Sequence, residues 1–283
     1  SLILVADSSP KKIRRAVSCS DSREIGEWQA NLRRLNELLL SHCICLDAPN
    51  DVILEAGAVL SGKMSGANAT TTRPLNFSQV TLRRIFARGR LDRGGRFYGG
   101  WWQNVPRQYR RYISIDGSLT CEADYSGMAL NCLYALEGKD LGHEDPYDIG
   151  LSFSDADDPR RKIVKKYVNA RLNDEKGSYR LPADEQHSLE ISHVDLRDRV
   201  SARHKPIAQH FGTGVGLLLQ FLESQIAERV LLGFAEHGDV CLPIHDSFIV
   251  KEDLIDQLIR QTGNDLHARR VVHRTHVGLY LAG

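Results

Sequence analysis

Two aspartates far apart in the chain sit in contexts that suit metal chemistry. Asp124 closes the short apolar run Thr120-Cys121-Glu122-Ala123 and is followed by Tyr125-Ser126-Gly127-Met128-Ala129-Leu130. Asp246 lies in Leu242-Pro243-Ile244-His245-Asp246-Ser247-Phe248-Ile249-Val250. A lone aspartate at a junction is usually a cap or turn residue. Two isolated acids, each embedded in apolar sequence, suggest a shared metal site. Cations are available beside them. After Asp158-Pro159, Arg161, Lys165 and Asn169 recur every four residues, with Lys162, Lys166 and Asn173 on the same side. A solvated basic face is the ordinary reading of such a pattern. Here no acid follows until Asp174, which favours an anionic partner. Upstream, Arg83, Arg84, Arg88, Arg90, Arg93, Arg96, Arg107, Arg110 and Arg111 stand against the single acid Asp92. A local patch of this kind can bind phosphates on a protein of near-neutral net charge.

The elements that must hold these residues are legible in part. Asp116-Gly117 predicts a hairpin turn between Tyr112–Ile115 and the strand that ends at Asp124. Ala129 to Leu136 has helical apolar spacing, so Asp124 stands at a strand-to-helix junction. Asp158 caps, and Pro159 opens, a helix whose apolar side is Ile163, Val164, Tyr167, Val168 and Leu172. A long apolar helix from Leu217 to His237 stops at Gly238. Asp239–Leu242 and Phe248–Val250 read as strands joined by a tight turn at His245-Asp246. A surface helix over Glu252–Thr262 and a terminal strand over Val271–Leu281, carrying His273 and His276, complete the chain. Toward the N-terminus, residues 1–46 read as mostly helical after Pro10, with Trp28, Leu32, Leu35, Leu38 and Leu39 as the apolar stripe. Residues 57–74 read as a Gly-, Ser- and Thr-rich loop. Asn76-Phe77-Ser78 is expected to open a helix bearing Val80, Leu82, Ile85 and Phe86. Another helix is expected over Gln186–Arg203. Gly94–Pro106 mixes glycines with Phe97, Tyr98, Trp101 and Trp102. Composition leaves open whether these rings stack on sugars and bases or pack as a structural hairpin.

The chain has 283 residues, 42% hydrophobic and 26% charged, with a net charge of +1. That is a globular composition with ample length for a core, and its global charge neither favours nor excludes nucleic acid. The cysteines are scattered and form no Cys-x-x-Cys pair, which fits a reducing, cytoplasmic location. Cys43-x-Cys45 is a weak zinc signal that reads better as part of a buried strand. No apolar run reaches membrane-spanning length, and Ser1–Val5 is too short for a signal peptide. Phe211-Gly212-Thr213-Gly214-Val215-Gly216 lacks the lysine of a phosphate loop.

Three blocks, in order, give the sequence a resemblance to the polymerase core of family A DNA polymerases and their relatives, the single-subunit phage-type RNA polymerases. Asp124-Tyr125-Ser126 resembles the first catalytic motif, and His245-Asp246 the third. Gly95-Arg96-Phe97 with Gln103-Asn104-Val105-Pro106 is similar to the segment that touches the primer-template. The nucleotide-binding helix matches at Arg161 and Lys165 and departs at Asn169 and Asn173, where the family has an aromatic and a tyrosine. Ala129 replaces the glutamate by which most DNA polymerases exclude ribose, and His-Asp-Ser-Phe is closer to the RNA polymerases. The interval between the two motif aspartates is shorter than in typical members.

The resemblance implies an α+β right-hand polymerase core. It would have a small antiparallel palm sheet, reduced helical fingers, and a helical, thumb-like or accessory region over 1–82 preceding a core over 83–283. It implies DNA-templated DNA synthesis with weak ribose exclusion, through two Mg2+ ions (Mn2+ as substitute) held by Asp124 and Asp246. Lys165 is the expected catalytic cation. Arg161, Lys165, Tyr125, Ser126, Ala129, Asn169 and Asn173 would line the nucleoside triphosphate. Arg96, Gln103, Asn104 and His245 would contact a DNA primer-template or other nucleic acid. The rivals are an RNA polymerase or primase, an untemplated end-adding enzyme, and a non-catalytic nucleic-acid-binding module on a degenerate polymerase fold.

Overall fold

The computed structural model describes residues 1–9, 13–17, 22–56, 75–125, 127–262 and the backbone of 268–271. In chain order its elements are β1 (Ile3–Ala6), β2 (Arg14–Ala16), α1 (Arg23–Ser41), β3 (Ile44–Leu46), a short helix α2 over 50–56, β4 (Arg83–Phe86) and β5 (Gly94–Tyr98). Two 3-10 turns, Trp101–Asn104 and Arg107–Tyr112, lead to β6 (Ile113–Ile115), β7 (Ser118–Tyr125) and α3 (Met128–Leu136). Then come α4 (Pro159–Asn173), α5 (Ala183–Leu189), α6 (His193–Arg203), α7 (Gly216–Ala235), β8 (Leu242–Ile244), β9 (Ser247–Lys251), α8 (Ile255–Thr262) and β10 (Ala268–Val271). The fold is mixed α and β. The chain divides into two compact units, one of residues 1–91, 95–126 and 224–283, the other of 92–94 and 127–223.

The first unit holds both sheets. One runs β2-β1-β4-β5, with β1 parallel to β4 and antiparallel to β2. The other runs β3-β6-β7-β9-β8 and is antiparallel throughout, with β10 on the remaining edge of β7 beyond β6. The β6–β7 turn is Asp116-Gly117, both at positive φ (52° and 74°), the two-residue geometry that matches strand twist. Helix α1 forms where the sequence predicts it. Ser22 accepts a hydrogen bond from the Ile25 amide at 3.2 Å, and Ile25, Trp28, Leu32, Leu35 and Leu39 are buried along one side.

Several expectations fail here. Residues 76–86 are a turn and strand β4 rather than a helix. The Asn76 side chain accepts from the Ser78 amide, so Ser78 caps nothing. Asn36 on α1 clasps Leu82, accepting from its amide at 2.6 Å and donating to its carbonyl at 2.9 Å, and β1 then pairs with β4. A short apolar run is ambiguous between helix and strand, and pairing decides it. The 1–82 stretch is not a separate helical region either. It supplies β1 and β2 to one sheet and β3 to the other, so the compact division falls elsewhere than at 82. The expected 186–203 helix is two helices, broken at Glu190 (φ 55°) and restarted by the Ser192 cap. A strand is described at Ala268–Val271, and the rest of the expected 271–281 strand lies outside the described residues. His273, His276 and the 57–74 loop lie outside the described residues.

The second unit is helical. Asp158 caps α4 by accepting from the Arg160 amide at 2.8 Å, with Pro159 at the first helical position as the sequence predicts. Its core includes Val164, Tyr167, Val168 and Leu172. His204 is fully buried. Its Nε2 lies 2.9 Å from the Pro146 carbonyl and its Nδ1 3.1 Å from the Tyr134 hydroxyl. A carbonyl can only accept, so the proton sits on Nε2 and Nδ1 accepts from Tyr134. Desolvation pushes the His204 pKa down to about 4, with the Arg203 charge adding to it and the Pro146 bond opposing.

Candidate active site

The antiparallel sheet of the first unit brings the backbones of the two aspartates close. β7 and β9 pair with Asp124 opposite Ser247, and the Tyr125 amide donates to the Asp246 carbonyl at 3.1 Å. Asp124 and Asp246 therefore lie one register step apart at the same end of two adjacent strands. Asp246 belongs to the two-residue loop His245-Asp246, since Ile244 pairs with Ser247 across β8 and β9. His245 holds φ at 56°, a left-handed conformation unusual for a side chain larger than glycine. Such strain gathers at functional positions.

The loop is pinned from below. Gln103 donates from its side-chain nitrogen to the carbonyls of Phe97 (2.9 Å) and Pro243 (3.0 Å), and its side-chain oxygen accepts from the Gly99 amide (3.1 Å). The Trp102 indole donates to the same Pro243 carbonyl at 3.2 Å. The path from β5 to these residues needs glycine. A Cβ on Gly100 would lie 2.2 Å from the Trp102 ring, and one on Gly99, at φ 125°, 2.5 Å from the Thr81 carbonyl. Trp101 and Trp102 are fully buried. Of the two readings of this glycine- and aromatic-rich stretch, packing accounts for the tryptophans. Gln103, expected at the nucleic acid, has its amide committed inside the unit. Asn104 is exposed and Arg96 half-buried. Tyr98 meets His245 edge-to-face at 5.8 Å between centroids.

The charges around the strand ends are arranged unequally. Arg107 Nη2 stands 3.9 Å from Asp124 Oδ2, and the Arg107 side chain is well exposed, a contact too loose and wet to hold the carboxylate. Glu122, two residues before Asp124 and so on the same face of β7, is buried. Its Oε1 accepts from Arg110 at 2.7 Å and from the Ser247 hydroxyl at 2.7 Å. Its Oε2 is buried and has no hydrogen-bond partner among the described residues. Glu122 was missed in the sequence, although its period-two spacing from Asp124 was the available signal. His245 keeps an exposed face. Its pKa is lowered by desolvation first and then by Arg96 and Arg110, while Asp246 opposes them.

Tyr125 points to the other face. Its ring is buried against Phe248 at 5.9 Å, and desolvation raises its hydroxyl to about 12. Its side chain is core, and its amide is taken by the Asp246 carbonyl. Ser126 lies outside the described residues. Arg84, counted in the basic segment, is also core. It is fully buried, bonded to Glu228 (2.8 Å), Ser224 (2.9 Å) and the Gly95 carbonyl (2.9 Å), and lies over the Trp28 ring at 4.6 Å.

The remaining expected residues belong to the second unit. Arg161 is buried and makes a two-pronged pair with Asp145, Nε to Oδ2 at 2.6 Å and Nη2 to Oδ1 at 2.8 Å. Lys162 pairs with Asp157 at 3.0 Å and Lys166 with Glu185 at 2.5 Å. The basic face of α4 thus has acidic partners from outside the helix, contrary to the sequence reading. Lys165 is exposed, its ammonium 5.7 Å from the Tyr147 ring. Asn173 is exposed and donates to the Asn169 carbonyl at 2.8 Å. Ala129 is half-buried in the first turn of α3.

As a donor set, Asp124 and Asp246 offer hard carboxylate oxygens, which suit Mg2+ or Mn2+. Among the described residues, no group of three or more His, Cys, Asp or Glu is gathered as a metal cage. Mg2+ is commonly held by one or two carboxylates with water and substrate phosphates filling the octahedron, so the pair fits. Among the described residues, no helix is long and apolar enough to cross a membrane. No protein-family model matches the sequence, and no curated protein matches it.

Proposed function

We propose that the chain is a nucleotidyltransferase of the polymerase type, extending a primer on a DNA template with deoxynucleotides and excluding ribonucleotides weakly. The observation that carries this reading is the convergence of Asp124 and Asp246 at one end of the β7–β9 pair, from distant parts of the sequence. In this reading the antiparallel sheet is the palm of a right-hand core and the helical unit its reduced fingers. Asp124 and Asp246 hold the divalent ions. Bound there, Mg2+ would polarise the reacting phosphate and lower the pKa of the primer hydroxyl. Lys165, exposed on α4, is the cation this reading assigns to the triphosphate, where it would offset charge that develops on the leaving group. Gln103 and Trp102 hold the His245-Asp246 loop in place. His245, kept neutral by its surroundings, and the exposed Asn104 and Arg107 face the nucleic-acid backbone, where contacts position without reading sequence. Ala129 offers no side chain to collide with a ribose 2′-hydroxyl.

One observation favours a second reading, a non-catalytic nucleic-acid-binding module. Arg161, the family's first triphosphate ligand, is spent on Asp145, and no aromatic stands at Asn169 or Asn173. Calorimetry of dATP binding separates the two. Catalysis requires Mg2+-dependent dATP binding that is lost in Asp246→Ala while binding to a DNA duplex is kept. A binding module takes up duplex and ignores dATP with or without Mg2+.

A further inference from the structure

Cys43 and Cys45 break the usual rule that free cysteines are buried. They flank Ile44 at the start of β3, which lies at the end of its sheet and pairs with β6. Ile44 and Leu46 point inward and are buried, whereas Cys43 is exposed and Cys45 half-exposed. Strand alternation therefore sets both thiols on the outer face. There the two sulfurs lie 3.2 Å apart. Cys121, Cys132 and Cys241, by contrast, are buried in the usual way.

The geometry points to a two-thiolate binding site for a thiophilic metal ion of the Zn2+ or Cd2+ class at Cys43 and Cys45. A tetrahedral zinc centre with Zn–S bonds of about 2.3 Å holds its sulfurs roughly 3.8 Å apart. The pair reaches that separation by small side-chain rotations with the backbone unmoved. The strand itself is anchored. The Cys43 amide donates to Asp116 Oδ1 at 3.0 Å, and the Cys43 carbonyl accepts from the Asp116 amide at 2.8 Å. Asp116 is held in turn by His42 (2.7 Å) and Lys251 (2.9 Å). With two protein ligands, water or a small thiol completes the coordination, so the site is open and exchanges its ion. The site is independent of the polymerase reading.

The test is titration of the chain with Cd2+ in a Cys19→Ser background, read by the ultraviolet charge-transfer band of thiolate-bound cadmium. One Cd2+ per chain is expected, displaced by Zn2+. Loss of either sulfur breaks the chelate, so Cys43→Ser and Cys45→Ser should each weaken binding about a hundredfold or more. Both substitutions lie on the outer strand face, and circular dichroism should show them folded. A charge-transfer band that survives in the Cys43→Ser, Cys45→Ser double variant would overturn the assignment. So would single variants that bind as tightly as the parent, or a parent that shows no band.

Discussion

A proton on His204 has nowhere to go in the folded chain. Both ring nitrogens are committed, and burial lowers its pKa to about 4, against about 6.5 in an unfolded chain. Between those values the unfolded state binds the extra proton, so stability falls as pH drops from about 6.5 toward 4 and is unaffected by this group above that window. The full effect is on the order of 3 kcal/mol. Urea unfolding at about pH 7 and about pH 4.5 measures it, and His204→Gln should flatten that part of the acid limb. At this scale the sequence identifies residue types but not their partners. Arg161 and Arg84 look like available cations on paper. One is neutralised by Asp145 and the other is enclosed by Trp28, Glu228 and Ser224, and no spacing rule connects those positions. Asp124 and Asp246 stand out in the sequence because each sits in a distinctive local context. Glu122 does not, because its meaning comes from Arg110 and Ser247 across the sheet.

At the scale of elements, the site depends on how β8 and β9 are held against the turn after β5. Gln103 is the fastener, with three side-chain hydrogen bonds spanning Phe97, Gly99 and Pro243. Gln103→Ala removes a partner from each of these backbone groups, with Pro243 keeping the Trp102 bond, and should cost about 2 to 3 kcal/mol, read as a lower urea midpoint. The same variant should loosen the His245-Asp246 loop, so divalent-ion affinity should fall with stability. A variant of unchanged stability would contradict this role. Elements governed by local chemistry were readable. Asp116-Gly117, the Asp158-Pro159 start and the Gly238 stop each behave as their residue types require. Residues 76–86 were misread because Asn36, on a different element, decides their conformation. The outward cysteines of β3 were misread because alternation is short there and burial depends on β6.

At the scale of the whole molecule, the boundary anticipated near residue 82 gives way to two units threaded differently. The chain leaves the sheet unit after β7, builds the helical unit, and returns along α7, whose first residues belong to the second unit and the rest to the first. Contiguity in sequence does not reveal a domain built from three separated segments. The proposed function is a templated extension, and only an activity reports on it directly. Primer extension on a defined DNA template, with Mg2+ and single dNTPs or rNTPs, is that measurement. The account predicts templated addition of the complementary dNTP, measurable addition of the matching rNTP, and loss of both in Asp124→Ala and in Asp246→Ala. Absence of any addition by a folded parent chain that binds the duplex, or addition that persists without either aspartate, would contradict it.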